Sequence, residues 1–445
     1  MIFEPFSIKG IAFKNRLLRS SVGGRMSAYN GVTTDIWKNF EKRFADGGLG
    51  GIVSTTFIVD PDRQSPFEYP SIADDKIVGP LKRHIAEIKT TGCRYIVQLG
   101  DPGYATHTSL FAQRNDELSS SSGFDFMYGY GNRRIAMTEE EIALEIDHFA
   151  KAAIRARDAG ADGIEITAEK GYIIHQFLNP GFNRRTDNWG GTPEKRFRFL
   201  EEVIKAVQGA VGRDFPLGVR LSAVDYNSFP ILNFIFRFPW VFPWRYHVLG
   251  NDIDQTLEYG HALKRLGIDF LHIVVGSCFI NPKGVPGEFP IEEVRLLGNI
   301  TRHLSVKAAV RSTLLNIVPD FIGRPLFNIG WKYEEAISLP YAARFKREVG
   351  IPVIANGGFQ NGNTIESALS DGKCDFVSMA RALIANPDLP KRFAEGKMMP
   401  DNPCTHCNRC AGRTPTSPLG CYEIKRFPSQ QAMQDQIMDW NSPDL

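Results

Sequence analysis

Just past an apolar, strand-like run, Thr167, Lys170 and Tyr172 fall within a few residues of one another, in the stretch GADGIEITAEKGYIIHQFLNPGFNRRTDNWGG over Gly160–Gly191. A phenol with its ordinary pKa of about 10 is protonated at neutral pH, so Tyr172 can give a proton to a developing carbanion. Lys170 can polarise a carbonyl or stabilise an enolate oxygen, and Thr167 is a second candidate for that contact. Two of them have a plainer alternative: a half-buried packing aromatic for Tyr172, a solvated rim lysine for Lys170.

A second reactive set is Cys404-x2-Cys407-x2-Cys410-x10-Cys421. Four thiolates so closely spaced suit an iron–sulfur cluster or a tetrahedral zinc, the cluster being preferred. His406 lies between them and could replace one ligand, and free thiols are the alternative. Cys93, Cys278 and Cys374 are scattered and read as core residues.

A third set suits an anionic ligand with a flat ring. Gly357-Gly358 and Ala380-Arg381 end two neighbouring strand-like runs, where glycine N–H groups and a guanidinium can hold a phosphate. A tight turn with a surface arginine is the alternative. Arg220 in LGVRL is costly to bury unless it meets an anionic or electron-rich partner. Gln98 in YIVQL needs several hydrogen bonds, which a heterocycle edge or backbone groups can supply.

Eight short apolar runs must position these residues: Arg16–Ser21, Gly51–Thr55, Tyr95–Leu99, Gly163–Thr167, Leu217–Leu221, Phe270–Val275, Pro352–Asn356 and Phe376–Met379. Amphipathic helical sequence follows most of them. Over Thr138–Ala159, Thr138 and Glu141 form a capping box before helically spaced apolar residues, and Gly160 stops the helix. Alternating strands and helices imply parallel pairing and right-handed crossovers, and eight such units predict a (β/α)8 barrel. A doubly wound sheet fits less well, because no G-x-G-x-x-G follows the first strand. Two insertions, Tyr226–Asn251 and roughly Arg311–Glu335, read as Pro- and aromatic-containing rim loops. Residues 1–399 are expected to form the barrel and 400–445 a cysteine-bearing appendix.

The 445 residues are 43% apolar and 23% charged, as in ordinary globular proteins. A net charge of +2 makes no electrostatic case for nucleic acid. The N-terminus lacks an apolar signal-peptide core, so a cytoplasmic protein is expected. Phe229–Trp244 is strongly apolar but holds Pro230, Pro239, Pro243 and Arg237, and it is too short to span a bilayer. It reads as a loop over a pocket or interface, with a hydrophobic substrate in view.

The chain resembles the old yellow enzyme family of FMN-dependent ene-reductases, nearest the NADH:flavin oxidoreductases related to bacterial dienoyl-CoA reductase. The likeness is carried by Phe3-Glu4-Pro5, Lys14-Asn15-Arg16, FADGGLGGIVSTT, GYIIHQFLNPGFNRRTDNWGG, VIANGGF and DFVSMARALIANPDLP. It implies a barrel with FMN at its mouth. Ser21, Val22, Gly23 and Thr56 would line the flavin, and Gln98 and Arg220 would meet its edge. Gly357, Gly358, Ala380 and Arg381 would hold its phosphate. Tyr172 aligns with the family's proton donor, NAD(P)H is the implied reductant, and the substrate is an unsaturated carbonyl compound. A second expectation is an FMN/iron–sulfur electron-transfer subunit working with a partner protein, and a third is a non-redox barrel such as an aldolase. A second copy of the chain is a further candidate partner. The chain departs from the family at Thr167 and Lys170, where many members carry a His-x-x-His or His-x-x-Asn pair, and at Gly23, often Thr or Cys. Its cysteine spacings are slightly shorter than the reductase's.

Overall fold

The computed structural model describes residues 1–63, 68–105, 116–124, 133–227, 250–278, 281–304 and 306–439. Eight parallel strands form the frame: β1 (Leu17–Arg19), β2 (Gly51–Val53), β3 (Arg94–Gly100), β4 (Gly163–Ala168), β5 (Leu217–Ser222), β6 (Phe270–Val274), β7 (Val353–Asn356) and β8 (Phe376–Met379). Each pairs with the next, and Val377 on β8 registers with Leu17 on β1, so the sheet closes. All eight expected strands are present, with ends that match or differ by at most two residues. Buried on both faces, they show near-continuous apolar sequence, which is why they are legible.

A hairpin of Phe6–Ile8 and Ile11–Phe13 caps the N-terminal end of the barrel. There Phe13 packs edge-on against Phe376, ring centroids 4.9 Å apart, within a small core that also takes in Leu18, Val53, Ile96, Phe270 and Ile354. A larger core lies between strands and helices. Among the helices outside the strands are α1 (Asp35–Asp46), α2 (Val78–Lys89), α3 (Glu139–Asp158), α4 (Pro193–Val211), α5 (Ile253–Arg265), α6 (Leu339–Glu348) and α7 (Gly362–Ser370). The capping box of α3 forms as expected: Thr138 Oγ1 accepts from Glu141 N at 3.2 Å, and Thr138 N donates to the Glu141 carboxylate at 2.7 Å.

The rim differs from expectation in two places. A three-stranded sheet of Asp116–Ser119, Gly123–Phe124 and Arg133–Ala136 follows β3. The expected loop over Arg311–Glu335 is largely helical, with helices at Val306–Ile317 and Asp320–Phe327 after one at Ile291–Thr301. The segment's prolines do not prevent this: Pro319 precedes the second helix, at its N-cap, and Pro325 lies within it. The apolar residues Val306, Val310, Leu314, Ile317 and Phe321 point to solvent rather than to a core. Phe229–Trp244 lies outside the described residues. No helix among the described residues is long and apolar enough to cross a membrane.

One ion pair ties the first strand to its helix. The side chains of Arg19 on β1 and Glu41 on α1 are both fully buried and paired. Arg19 Nη1 also donates to Val22 O at 2.7 Å, and Thr55 Oγ1 lies 3.1 Å from the Glu41 carboxylate. Removing one partner of such a pair strands the other charge. Glu41→Ala is therefore expected to cost about 3–5 kcal/mol of unfolding free energy in a denaturant titration. An unchanged midpoint would contradict this role.

Candidate active site

Strand β4 ends in a turn that the backbone makes unusual. Lys170 sits at φ 50° and Gly171 at φ 83°, both left-handed. A lysine there is strained, and such strain gathers at functional turns. The turn places Tyr172 at the N-cap of a short helix, Ile173–Leu178. His175 fastens it: its Nδ1 accepts from Gly171 N at 3.1 Å, so its Nε2 must donate to Asp225 at 2.9 Å. Asp225 in turn accepts from Asn179 and from Asn251 N, at 2.9 and 2.7 Å.

Thr167, Lys170 and Tyr172 are all buried at the mouth. Burial pushes the Tyr172 phenol well above its ordinary value, so it stays protonated. Burial also draws the Lys170 ammonium down, against the pull of Glu169. Arg220 Nε lies 3.2 Å from Glu169, and Arg220 Nη1 donates to Ser20 Oγ at 2.8 Å. Among the described residues, Thr167 Oγ1 and Glu169 Oε2 have no hydrogen-bond partner although buried. These are polar atoms that a ligand at the mouth would satisfy.

Below the mouth runs a connected polar layer. Gln98 Oε1 accepts from Ser21 Oγ at 2.8 Å and from Thr56 Oγ1, while Gln98 Nε2 donates to Glu165 at 2.6 Å. The other oxygen of Glu165 accepts from His272 Nδ1 at 2.8 Å, and His272 Nε2 accepts from Ser378 Oγ at 2.7 Å. Asn356 Nδ2 closes the row on Ser378 at 2.9 Å. Burial raises the Glu165 carboxyl, but His272 outweighs that and holds it below its ordinary value. Burial lowers the His272 imidazole, against the pull of Glu165.

Ser21, Thr56 and Gln98 are thus brought into direct contact. Val22 and Gly23 wrap onto β2: Val22 O accepts from Thr55 Oγ1 at 2.9 Å, and a Cβ on Gly23 would lie 2.2 Å from Thr55. Gly357 and Gly358 follow β7 at φ 141° and 78°, and a Cβ on Gly358 would meet Glu334 O at 2.7 Å. Glycine is required there for conformation and space. Ala380 and Arg381 follow β8 beside them. The Arg381 guanidinium, however, is held by Pro286 O at 2.6 Å and by Asn408 of the cysteine segment.

Cys404, Cys407, Cys410 and Cys421 line one cavity with Arg381 and Arg426. Arg426 Nη1 lies 3.0 Å from Cys421 Sγ and also holds Ala385 O at 2.9 Å, clamping the segment to the barrel. Burial raises the Cys404 and Cys410 thiols and lifts Cys407 to about 11. Without a metal they are neutral, and a bound cation would stabilise the thiolates. His406 does not line this cavity; it stacks on Tyr333, centroids 3.6 Å apart.

Sequence reasoning missed Tyr69, Glu165, Glu169, His272 and Ser378. The available signal was a charged or ring-nitrogen residue in an otherwise apolar strand, Glu165 in GIEIT and His272 in FLHIV. Tyr69 carried no signal.

A profile of the NADH:flavin oxidoreductase / NADH oxidase family matches residues 1–229 and 331–400. The chain belongs to this family. That is the old yellow enzyme family expected above, and the matched stretches include Tyr172 and the positions expected to hold FMN. A metal reductase from Desulforamulus reducens is 27% identical over 410 residues, covering 92% of this chain and 51% of its own. The chain thus spans about half the length of that relative. An NADPH dehydrogenase from Geobacillus sp. is 27% identical over 401 residues, covering 89% of this chain and 94% of its own. A solved 2-naphthoyl-CoA reductase complex shares the fold at a TM-score of 0.76 and 22% identity, over 99% of this chain and 58% of that one.

The family uses FMN and NAD(P)H. The buried Arg220 cation and the unpartnered Thr167 and Glu169 atoms fit a flavin edge at the mouth, and the two left-handed glycines fit a phosphate. Replacing Arg220 by Met should weaken FMN retention about 10-fold or more, roughly 1.4 kcal/mol, in a flavin fluorescence titration. Unchanged retention would remove Arg220 from the flavin site.

Proposed function

We propose that the chain takes hydride from NAD(P)H and reduces an activated C=C bond of a hydrophobic unsaturated carbonyl compound. The observation that carries this is Tyr172: a phenol kept protonated by burial, on a strand end, beside the Arg220–Glu169 pair and above the Gln98 layer. FMN, when bound, supplies the two-electron hydride chemistry. Ser21, Val22, Gly23, Thr56, Gln98, Arg220, Gly357, Gly358, Ala380 and Arg381 hold it. Arg220 offers positive charge to the ring edge. Tyr172 gives its proton to the substrate's α-carbon, and Lys170 and Thr167 hold the carbonyl oxygen in place of a histidine pair. The apolar sequence Phe229–Trp244 favours a hydrophobic substrate.

A second reading rests on the cysteine cavity. Cys404, Cys407, Cys410 and Cys421 would hold a [4Fe-4S] cluster, with zinc as the alternative, and the chain would relay electrons to a partner protein. The four partly buried thiols around one space, with Arg426 at Cys421 Sγ, favour a metal.

Two measurements test these readings. Tyr172→Phe should slow enone-driven reoxidation of the reduced protein about 100-fold or more, while its reduction by NAD(P)H stays near wild type. A wild-type reoxidation rate would reject the proton-donor role. Protein purified anaerobically should carry iron and acid-labile sulfide, and Cys410→Ser should lose both; zinc alone, or no metal, would reject the cluster.

A further inference from the structure

Tyr69 comes from the segment between β2 and α2, well away in sequence from the β4 turn. That segment is pinned on both sides: Ile58 N donates to Pro70 O and Ser71 N to Gly31 O, each at 2.9 Å, and Glu68 pairs with Arg25 at 2.8 Å. The Tyr69 phenol is hydrogen-bonded to that of Tyr172, and Tyr172 is also hydrogen-bonded to Thr56. Tyr172 is 5% exposed, whereas Tyr69 is only half-buried.

Counting protons orients these bonds. The Gln98 carbonyl oxygen can only accept, so the single hydroxyl proton of Thr56 goes to it. In the Thr56–Tyr172 bond the proton must then come from Tyr172. Tyr172 has no second proton, so in the Tyr69–Tyr172 bond Tyr69 is the donor. The Tyr69 proton already points at the oxygen that loses its proton during turnover.

We propose that Tyr69 reprotonates Tyr172 and links it to solvent. Once Tyr172 has given its proton to the substrate's α-carbon, a phenolate remains in a nearly closed site near the Glu169 carboxylate. The Tyr69 O–H bond breaks and a Tyr172 O–H bond forms, moving the negative charge outward by one phenol. Tyr69 then takes a proton from water or a buffer acid. The two groups are of one chemical type, so the transfer is close to thermoneutral. Tyr69 is a positioning and relay residue that acts through Tyr172. This rests on the proton-donor role proposed for Tyr172.

The test compares FMN-loaded wild type, Tyr69→Phe, Tyr69→His and Tyr172→Phe, with 2-cyclohexen-1-one as the probe. First-turnover reoxidation is set against steady-state turnover, over a range of small buffer acid. Tyr69→Phe should keep its first turnover within about 3-fold but lose about 10-fold in the steady state, and buffer acid should restore the loss. Tyr69→His, which still carries a proton, should recover most of it. In flavin-free protein, the NMR signal of the Tyr172 ring carbon bearing the hydroxyl should shift in Tyr69→Phe. An equal loss in both phases without buffer rescue, or no loss, would overturn the relay. A wild-type first turnover in Tyr172→Phe would instead overturn the role of Tyr172 itself.

Discussion

Charged groups inside a closed barrel must find partners there, and the rest of the site depends on how they do so. Eight strands closing on themselves point alternate side chains into one narrow space. In this chain that space is apolar at the N-terminal end, around Phe13 and Phe376, and ionic near the mouth, where Arg220, Glu165 and His272 are almost fully buried. Unpaired, each would cost several kcal/mol. Gln98 and Ser378 satisfy Glu165 and His272 in a single row, and Glu169 and Ser20 meet Arg220. Because one amide and one imidazole ring can donate and accept in only so many ways, the row also fixes proton positions up to Thr56 and Tyr172.

The β4 turn is the point where this rigidity is converted into chemistry. Lys170 and Gly171 are held left-handed because His175 and Asp225 lock the turn from behind. A loose turn would let Tyr172 pack against its neighbours like any other aromatic. Locked, it presents a protonated phenol over the mouth, with Lys170 and Thr167 on the same strand end. The departure from a histidine pair therefore changes how a substrate oxygen is held, and leaves the proton-donating position intact.

The cysteine segment and the barrel are coupled through two arginines. Arg381 begins after β8, where a phosphate would sit, yet its guanidinium reaches Asn408 among the cysteines. Arg426 reaches back from the cysteine segment to Ala385. The helices inserted before β7 sit beside this region, with Arg413 and Glu293 3.5 Å apart. The family profile leaves residues 230–330 unmatched, a span that holds β6 and α5 as well as these helices.

All eight strands, the α3 capping box and the cysteine spacing were legible in the sequence, because each depends on residues close together in the chain. Tyr172, Gln98 and Arg220 were legible as strand-end residues, since barrel topology assigns those ends to one face. The helices at Val306–Ile317 and Asp320–Phe327 were not, because their apolar faces meet solvent and their prolines look like loop punctuation. Nor was the rim sheet, or the pairing of Tyr69 with Tyr172. The sequence by itself determined which groups could donate, accept or ligate, and the frame that carries them. Only the tertiary structure decided which of those groups share a proton. Hydrogen bonds are directional and short-ranged, so they form between side chains that the closed barrel brings within about 3 Å, whatever their separation along the chain.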